Sequence, residues 1–158
     1  MQPKSPFAAL KILHMALLGG MCLVAIVSLF LPREEFSAGL DRSAETILQT
    51  VSAGATLLCL LLGFSIFKKR LVAVHTSHEK AEKRLEMYRK AIITWWAMIE
   101  APGLLALVGF VLTSQYAFLA LGLFHVALLA IFMPRKMNIV LLLKLTAAEV
   151  QRLEKSGI

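Results

Sequence analysis

Residues 91–112 read AIITWWAMIEAPGLLALVGFVL, a stretch with one charge, Glu100, and one proline, Pro102. A helix rises about 1.5 Å per residue, so about 20 apolar residues cross a hydrocarbon core about 30 Å thick. This stretch is long enough to span. Three more apolar runs are of the same order, at 12–31, 47–67 and 116–133. Backbone amides in lipid must be satisfied within the segment, and barrel strands would be half as long and alternating, so each run is read as a helix. The chain is 58% hydrophobic, against roughly 45–50% in soluble domains. The fold class that follows is all-α: an integral membrane four-helix bundle of two helical hairpins over residues 1–136, with a short C-terminal helix in a cytoplasmic or interfacial tail over 137–158.

Orientation is read from the cations, because Lys and Arg in short loops stay on the cytoplasmic side. Fifteen of the seventeen Lys and Arg residues fall in the N-terminus, the loop between the second and third runs, and the tail. The first loop has only Arg33 and Arg42, beside Glu34, Glu35, Asp41 and Glu45, and the third loop, Thr113 to Gln115, has no charge. Both termini are therefore expected on the cytoplasmic face of a bacterial inner membrane. The net charge of +7 follows from that topology and from attraction to anionic lipid. No aromatic-interleaved basic module accompanies it, so nucleic acid is not expected as a partner. The first run is too long for a signal-peptide core and lacks a small-x-small cleavage site before Pro32, so it reads as a permanent anchor. Cys22 and Cys59 fall inside apolar runs and read as small buried hydrophobes.

Outside the spans, Thr76-x-x-Glu79 offers a capping box, predicting a helix from near Ser77 that runs into the third span, with Glu79, Glu82 and Glu86 interleaved among Lys80, Lys83, Arg84 and Lys90. His75 and His78 could share a helix face, but without further ligands they read as solvated residues and not as a zinc site. In the tail, Ile139 to Leu143 is too short to span and is expected at the headgroup boundary or packed on the bundle. Thr146-x-x-Glu149 is a second capping box, and it opens a helix whose Val150 and Leu153 face one way, toward a partner or a membrane surface.

Glu100 lies ten residues beyond Lys90, about 15 Å along a helix and thus at midmembrane. His125 lies ten residues before Arg135, at the same depth, and the three-residue connection makes the two helices antiparallel neighbours, so a Glu100–His125 contact is sterically open. Ser52, Thr56, Cys59 and Gly63 share one face of the second helix, with Thr56 near the midplane, and small residues there let a neighbour come close. Pro102 cannot donate to the Met98 carbonyl, which predicts a kink and puts a freed carbonyl beside the carboxyl. The ion-binding candidates are therefore Glu100, His125 and Thr56, with Pro102 as the kink. Trp95 and Trp96 fall a turn inside the cytoplasmic edge, where interfacial aromatics are ordinary, and are not read as a quinone or haem pocket. His14 counts to the start of the first helix, so His125 has no second His at its depth for a haem. No metal site or cofactor is expected. No nucleophile or phosphate loop appears, so no enzymatic activity is expected either. Two functions stay open: reversible binding of a proton or small cation at Glu100, or a structural or interaction subunit of a larger membrane complex in which Glu100 is a neutral interhelical hydrogen-bonding group. The partners are the lipid bilayer and, for the second function, a protein partner or further copies of the chain.

Two resemblances follow from these residues. The stretches KRLEMYRKAIITWWAMIEAPGLLALVGFVLTSQ (83–115) and LKLTAAEVQRLEK (143–155) resemble a family of uncharacterised four-span membrane proteins of Bacteroidota, which implies a fold but no function. AMIEAPGLLALVGFVL (97–112) resembles the carboxylate helix of the rotary ATP synthase c subunit, where a midmembrane acid is followed by small residues; the ion-carrying acid maps to Glu100. SAGATLLCLLLGFSIFKK (52–69) lacks that family's dense glycine repeat, and two flanking helices are extra. The resemblance therefore implies a retained acid without a rotor ring.

Overall fold

The computed structural model describes residues 5–31 and 41–156. Among them are six helices: α1 (Pro6–Phe30), α2 (Arg42–Thr76), α3 (Ala81–Thr113), α4 (Tyr116–Ile131), α5 (Lys136–Leu142) and α6 (Ala147–Ser156). Three of these, α1, α2 and α3, are long and apolar enough to cross a membrane. The fourth predicted span passes the same test only as a pair, α4 with α5, bent by 67° at the break between them. Pro134 stands in that break, where it lacks an N–H and disfavours helix in the residue before it.

The ends of the helices are capped as their sequences dictate. Ser5 Oγ accepts from the Ala8 N–H at 3.3 Å, with Pro6 in the first turn. Asp41 Oδ1 accepts from the Ala44 N–H at 2.8 Å. The α3–α4 connection is as tight as the three-residue spacing predicts: Ser114 takes a left-handed φ of 57° and its N–H bonds the Phe110 carbonyl at 2.9 Å. The Thr146 box forms, with the Thr146 N–H on Glu149 Oε2 at 2.8 Å and the Glu149 N–H on Thr146 Oγ1 at 3.3 Å.

The Thr76 box does not form. Thr76 is the last residue of α2, its hydroxyl donates to the Val72 carbonyl, and α3 begins at Ala81 instead of near Ser77. No breaker follows the apolar run at Lys68, so α2 continues two more turns and buries Val74 before it stops. Glu79 instead pairs with Lys83 at 2.8 Å, and Glu86 pairs with Lys90 at 2.6 Å.

Helix α3 is the column on which the others pack. Along α2 the buried residues are Ser52, Thr56, Gly63 and Val74, so the small-residue face read from the sequence is the packing face. At Gly63 an added Cβ would stand 2.8 Å from Met98 Cβ and 3.0 Å from the Trp95 ring. On another side α4 runs antiparallel to α3, with Gly103 against His125, Leu107 against Gly122 and Gly109 against Phe118. Helix α1 runs parallel to α3, with His14 against Trp96 and Met21 against Gly103, and it also touches α4. The helices expected to form a first hairpin, α1 and α2, thus pack chiefly on α3 instead of on each other.

The tail joins the same core. Ile139, Leu143, Leu145 and Leu153 are buried with Phe7, Leu10, Val74, Leu85 and Tyr88. Arg84 holds it in place, donating to the Leu143 carbonyl at 2.6 Å and to Glu149 Oε1 at 3.1 Å, and Lys136 pairs with Glu154 at 2.6 Å. At the opposite end Gln115 donates to Glu45 Oε2 at 2.9 Å and accepts from Gln49, tying the start of α2 to the α3–α4 turn.

Two tests follow from this packing. Gly63→Ala drives a methyl into Met98 and Trp95 and is expected to destabilise the protein by about 1–3 kcal/mol, whereas Gly54→Ala, with nothing within 4 Å, should be neutral or stabilising by up to about 1 kcal/mol. Thermal unfolding in detergent compares the two. The second concerns the tail: the Thr146 N–H and hydroxyl, with Arg84, hold the Glu149 carboxyl below its ordinary value of 4.5. The stabilisation is therefore present above that value and lost as pH falls through the lower, folded-state one. The protection of the 147–156 amides, taken relative to their intrinsic exchange rates at each pH, should fall on acidification below 4.5, and Glu149→Gln should show the reduced protection already at neutral pH.

Candidate functional site

Glu100 is half-buried on α3 and, among the described residues, makes no hydrogen bond or ion pair. Successive residues of a helix are about 100° apart. Trp96, Gly103 and Leu107, all buried, lie within about 60° of Glu100 around α3, while Ala97 and Ala101, on its other flank, are exposed. The carboxyl-bearing residue therefore sits at the rim of the buried face, beside α1.

His125 is fully buried. Its Nδ1 donates to the Leu121 carbonyl at 2.8 Å, and its Nε2 meets no partner. Its Cβ and Cγ pack on Gly103, so it stands at the level of residue 103, three residues or about 4.5 Å further along α3 than Glu100. The two residues are near in depth but are not hydrogen-bonded.

Thr56 and Pro102 lie elsewhere around the column. Thr56 is buried with an unpartnered hydroxyl, on the α2 face that meets Met98 and Trp95 at Gly63. Met98 is about 200° from Glu100 around α3. Thr56 and Glu100 thus belong to opposite sides of the helix. Pro102 is buried within an unbroken α3, and the Met98 carbonyl it leaves without a donor points along the axis toward residue 102, about 160° from Glu100. The freed carbonyl and the carboxyl do not share a site, contrary to the expectation from their spacing.

The tryptophans also differ from their sequence reading. Both are buried: Trp96 Nε1 donates to the Phe132 carbonyl at 3.3 Å, and Trp95 sits among Phe64, Phe67 and Phe132 with ring centroids 5.2–6.0 Å away. They are core residues, not an outward-facing interfacial belt, because α2 and the end of α4 cover them.

His14 lies toward the basic end of α1, level with Trp96 and not with His125, as its spacing from Lys11 predicts. Since α1 starts at Pro6, His14 lies more than two turns inside it, fully buried, with its ring 4.8 Å from that of Trp96 and tilted 53°. Among the described residues neither of its nitrogens has a partner. The signal that finds it is the buried stripe Phe7, Leu10, His14, Met21, Ala25, Ser28, whose spacings of three, four and seven are those of one helix face. His75 lies at the end of α2, its Nδ1 3.1 Å from the Leu142 carbonyl, and His78 is exposed. Among the described residues no three His, Cys, Asp or Glu side chains come together, and Cys22 and Cys59 are unpaired and half-buried.

Searches of protein families, of curated proteins and of solved structures find no match to this chain.

Proposed function

We propose that the chain is a four-span inner-membrane protein without enzymatic activity, both termini cytoplasmic, in which Glu100 reversibly binds a proton at midmembrane. The observation that carries this reading is a carboxyl with no hydrogen bond or ion pair among the described residues, ten residues into an apolar helix from Lys90. An ionised acid at the centre of a spanning helix costs about 2.5–3.5 kcal/mol. Unpaired, it meets that cost by taking up a proton. A carboxyl serving as interhelical glue within the chain would be hydrogen-bonded to an acceptor, and among the described residues Glu100 is bonded to none. A hard cation would need several oxygen ligands; Thr56 and the Met98 carbonyl lie on the far side of α3. Of the two ions, the proton is thus the better fit. The resemblance of residues 97–112 to the carboxylate helix of the c subunit supports the same assignment.

The second reading, an interaction subunit, draws on the exposed Ala97 and Ala101 beside Glu100. Small residues let a partner helix approach closely and accept a hydrogen bond from a protonated acid. The tail helix is a weaker dock, since Leu153 and Val150 already pack inward.

Labelling of the purified protein in detergent with a hydrophobic carbodiimide, mapped by mass spectrometry across a pH series with and without sodium, tests the assignment. The expected result is an adduct at Glu100 that declines at high pH and is indifferent to sodium. An absence of adduct at every pH defeats the proton reading, and protection by sodium turns it into a cation site. Glu100→Gln should abolish the adduct while leaving thermal unfolding unchanged, because among the described residues the carboxyl makes no hydrogen bond or ion pair.

A further inference from the structure

Buried polar groups are nearly always hydrogen-bonded, so a fully buried imidazole with both nitrogens unmatched marks His14 as a residue whose partner is supplied some other way. Its ring lies 4.8 Å from that of Trp96, inside the range of about 6 Å at which an aromatic face attracts a cation. One face of the pocket thus suits an imidazolium.

The contacts on either side fix what lies next along the α1–α3 seam. His14 meets Trp96 and Met21 meets Gly103. Glu100 comes four residues after Trp96 and three before Gly103, which sets it opposite Leu17 and Leu18, one turn from His14. A helical side chain leans toward the N-terminus of its helix, over the turn before its own Cα. Because α1 and α3 are parallel, His14 leans the same way, so the Glu100 carboxyl keeps its offset of one turn, about 5.4 Å, from the imidazole and lies away from the Gly103 level where His125 packs.

We propose that His14 and Glu100 are a proton-sharing pair in the α1–α3 seam, with His14 passing protons from the basic end of the molecule to the carboxyl. The proposal rests on the reading of Glu100 as a proton site and names its exchange partner. In the transfer, an N–H bond of the imidazolium breaks as the carboxyl O–H forms, through one bridging water that takes the proton from His14 and gives its own to Glu100. Imidazolium and carboxylate become neutral imidazole and carboxylic acid, and a proton from the aqueous side then restores the imidazolium.

The other titratable groups around the seam do not compete for this role. On α1, Lys11 is exposed nearer the basic end and Cys22 lies beyond Met21; on α3, Tyr88, Arg89 and Lys90 precede Trp96. On α4, His125 stands at the Gly103 level with its Nδ1–H tied to Leu121. Helix α6 brings Glu149, Arg152, Glu154 and Lys155 only to the basic end, and α2 turns Ser52 and Thr56 to the opposite side of α3. Cys59 on α2 lies at about the Pro102 level but on the far side of α3, and none of the others falls between the Trp96 and Gly103 levels.

Two midpoints in the full chain in detergent test the pairing: the pH at which carbodiimide labelling of Glu100 is half lost, and the pH at which the His14 imidazole is half protonated by NMR. In His14→Gln the labelling should persist to higher pH, and in Glu100→Gln the imidazole should give up its proton at lower pH, each by at least about one pH unit. Because coupling between two sites is reciprocal, the two displacements should be equal. His125→Gln should leave the labelling midpoint in place. Glu100 labelling that is pH-dependent but unmoved by His14→Gln overturns the pairing and leaves the proton site standing. If labelling is absent at every pH, both fall. Should His14→Gln not yield folded protein, the Glu100→Gln arm decides alone, and an unmoved His14 midpoint overturns the pairing.

Discussion

The approach of neighbouring backbones to α3 is the constraint on which the rest of the molecule depends. At Gly63, Gly103, Gly109 and Gly122 an added Cβ would lie 2.5–2.8 Å from the nearest neighbouring atom, well inside van der Waals contact. Lipid tails are as apolar as leucine, so helices in a bilayer gain little by hiding apolar surface from lipid and associate through close packing instead. Close packing needs room, and the missing side chains supply it. With α2 on one side and α1 and α4 on the other, α3 buries Trp95, Trp96, Ile99, Leu107 and Phe110, while α1 and α2 leave most of their leucines, isoleucines and valines facing outward.

The same close approach decides which polar groups are left without partners. Trp96 reaches the Phe132 carbonyl and His125 reaches its own helix at Leu121, but His14, Ser52, Thr56 and the indole of Trp95 are enclosed with no hydrogen-bond partner among the described residues. Ser52 and Thr56 are short side chains in a tight helix contact, and their role in packing accounts for them. His14 is different, since a leucine would fill the same place against Trp96 at no polar cost. An imidazole retained there is the costlier choice, and it stands one turn from the one carboxyl in the apolar part of α3.

What was legible in the sequence is what depends on length and local chemistry. Three of the apolar runs, the tight turn near 113–115, the capping box at Thr146 and the small face of α2 all follow from spacing and reappear in the structure, whereas the fourth run is long enough to span only as the bent pair α4 and α5. Helix rotation was not legible. These helices are apolar nearly all round, so no amphipathic stripe tells which face of α3 meets α1, α2 or α4. That is why Glu100, His125 and Thr56 could be set at one depth yet not on one side. Helix ends were not legible where a helix outran its apolar core: α1 begins at Pro6, not Ile12, which places His14 more than two turns inside the helix while leaving it level with Trp96 near the basic end, and α2 runs through Thr76, which removes the predicted cap. The burial of the tryptophans was hidden for a related reason, because their covers, Phe64, Phe67 and Phe132, come from other helices.

The rim position of Glu100 separates its chemistry from the stability of the fold. A carboxyl at the centre of the α1–α3–α4 seam would need a permanent partner, and its removal would leave that partner buried and unmatched, at a cost of about 1–3 kcal/mol. At the rim it contributes no bond, so its protonation state can change without repacking Ile99, Leu107 or Gly103 beside it. His14 shows the complementary arrangement: its ring is held by packing against Trp96, while its nitrogens are uncommitted. One group is free because it lies at the edge, the other because it is enclosed without partners, and α3 supplies the wall between them. A proton moving along that wall would change two charges and no helix contact, which is the property required of a site that titrates inside a rigidly packed membrane protein.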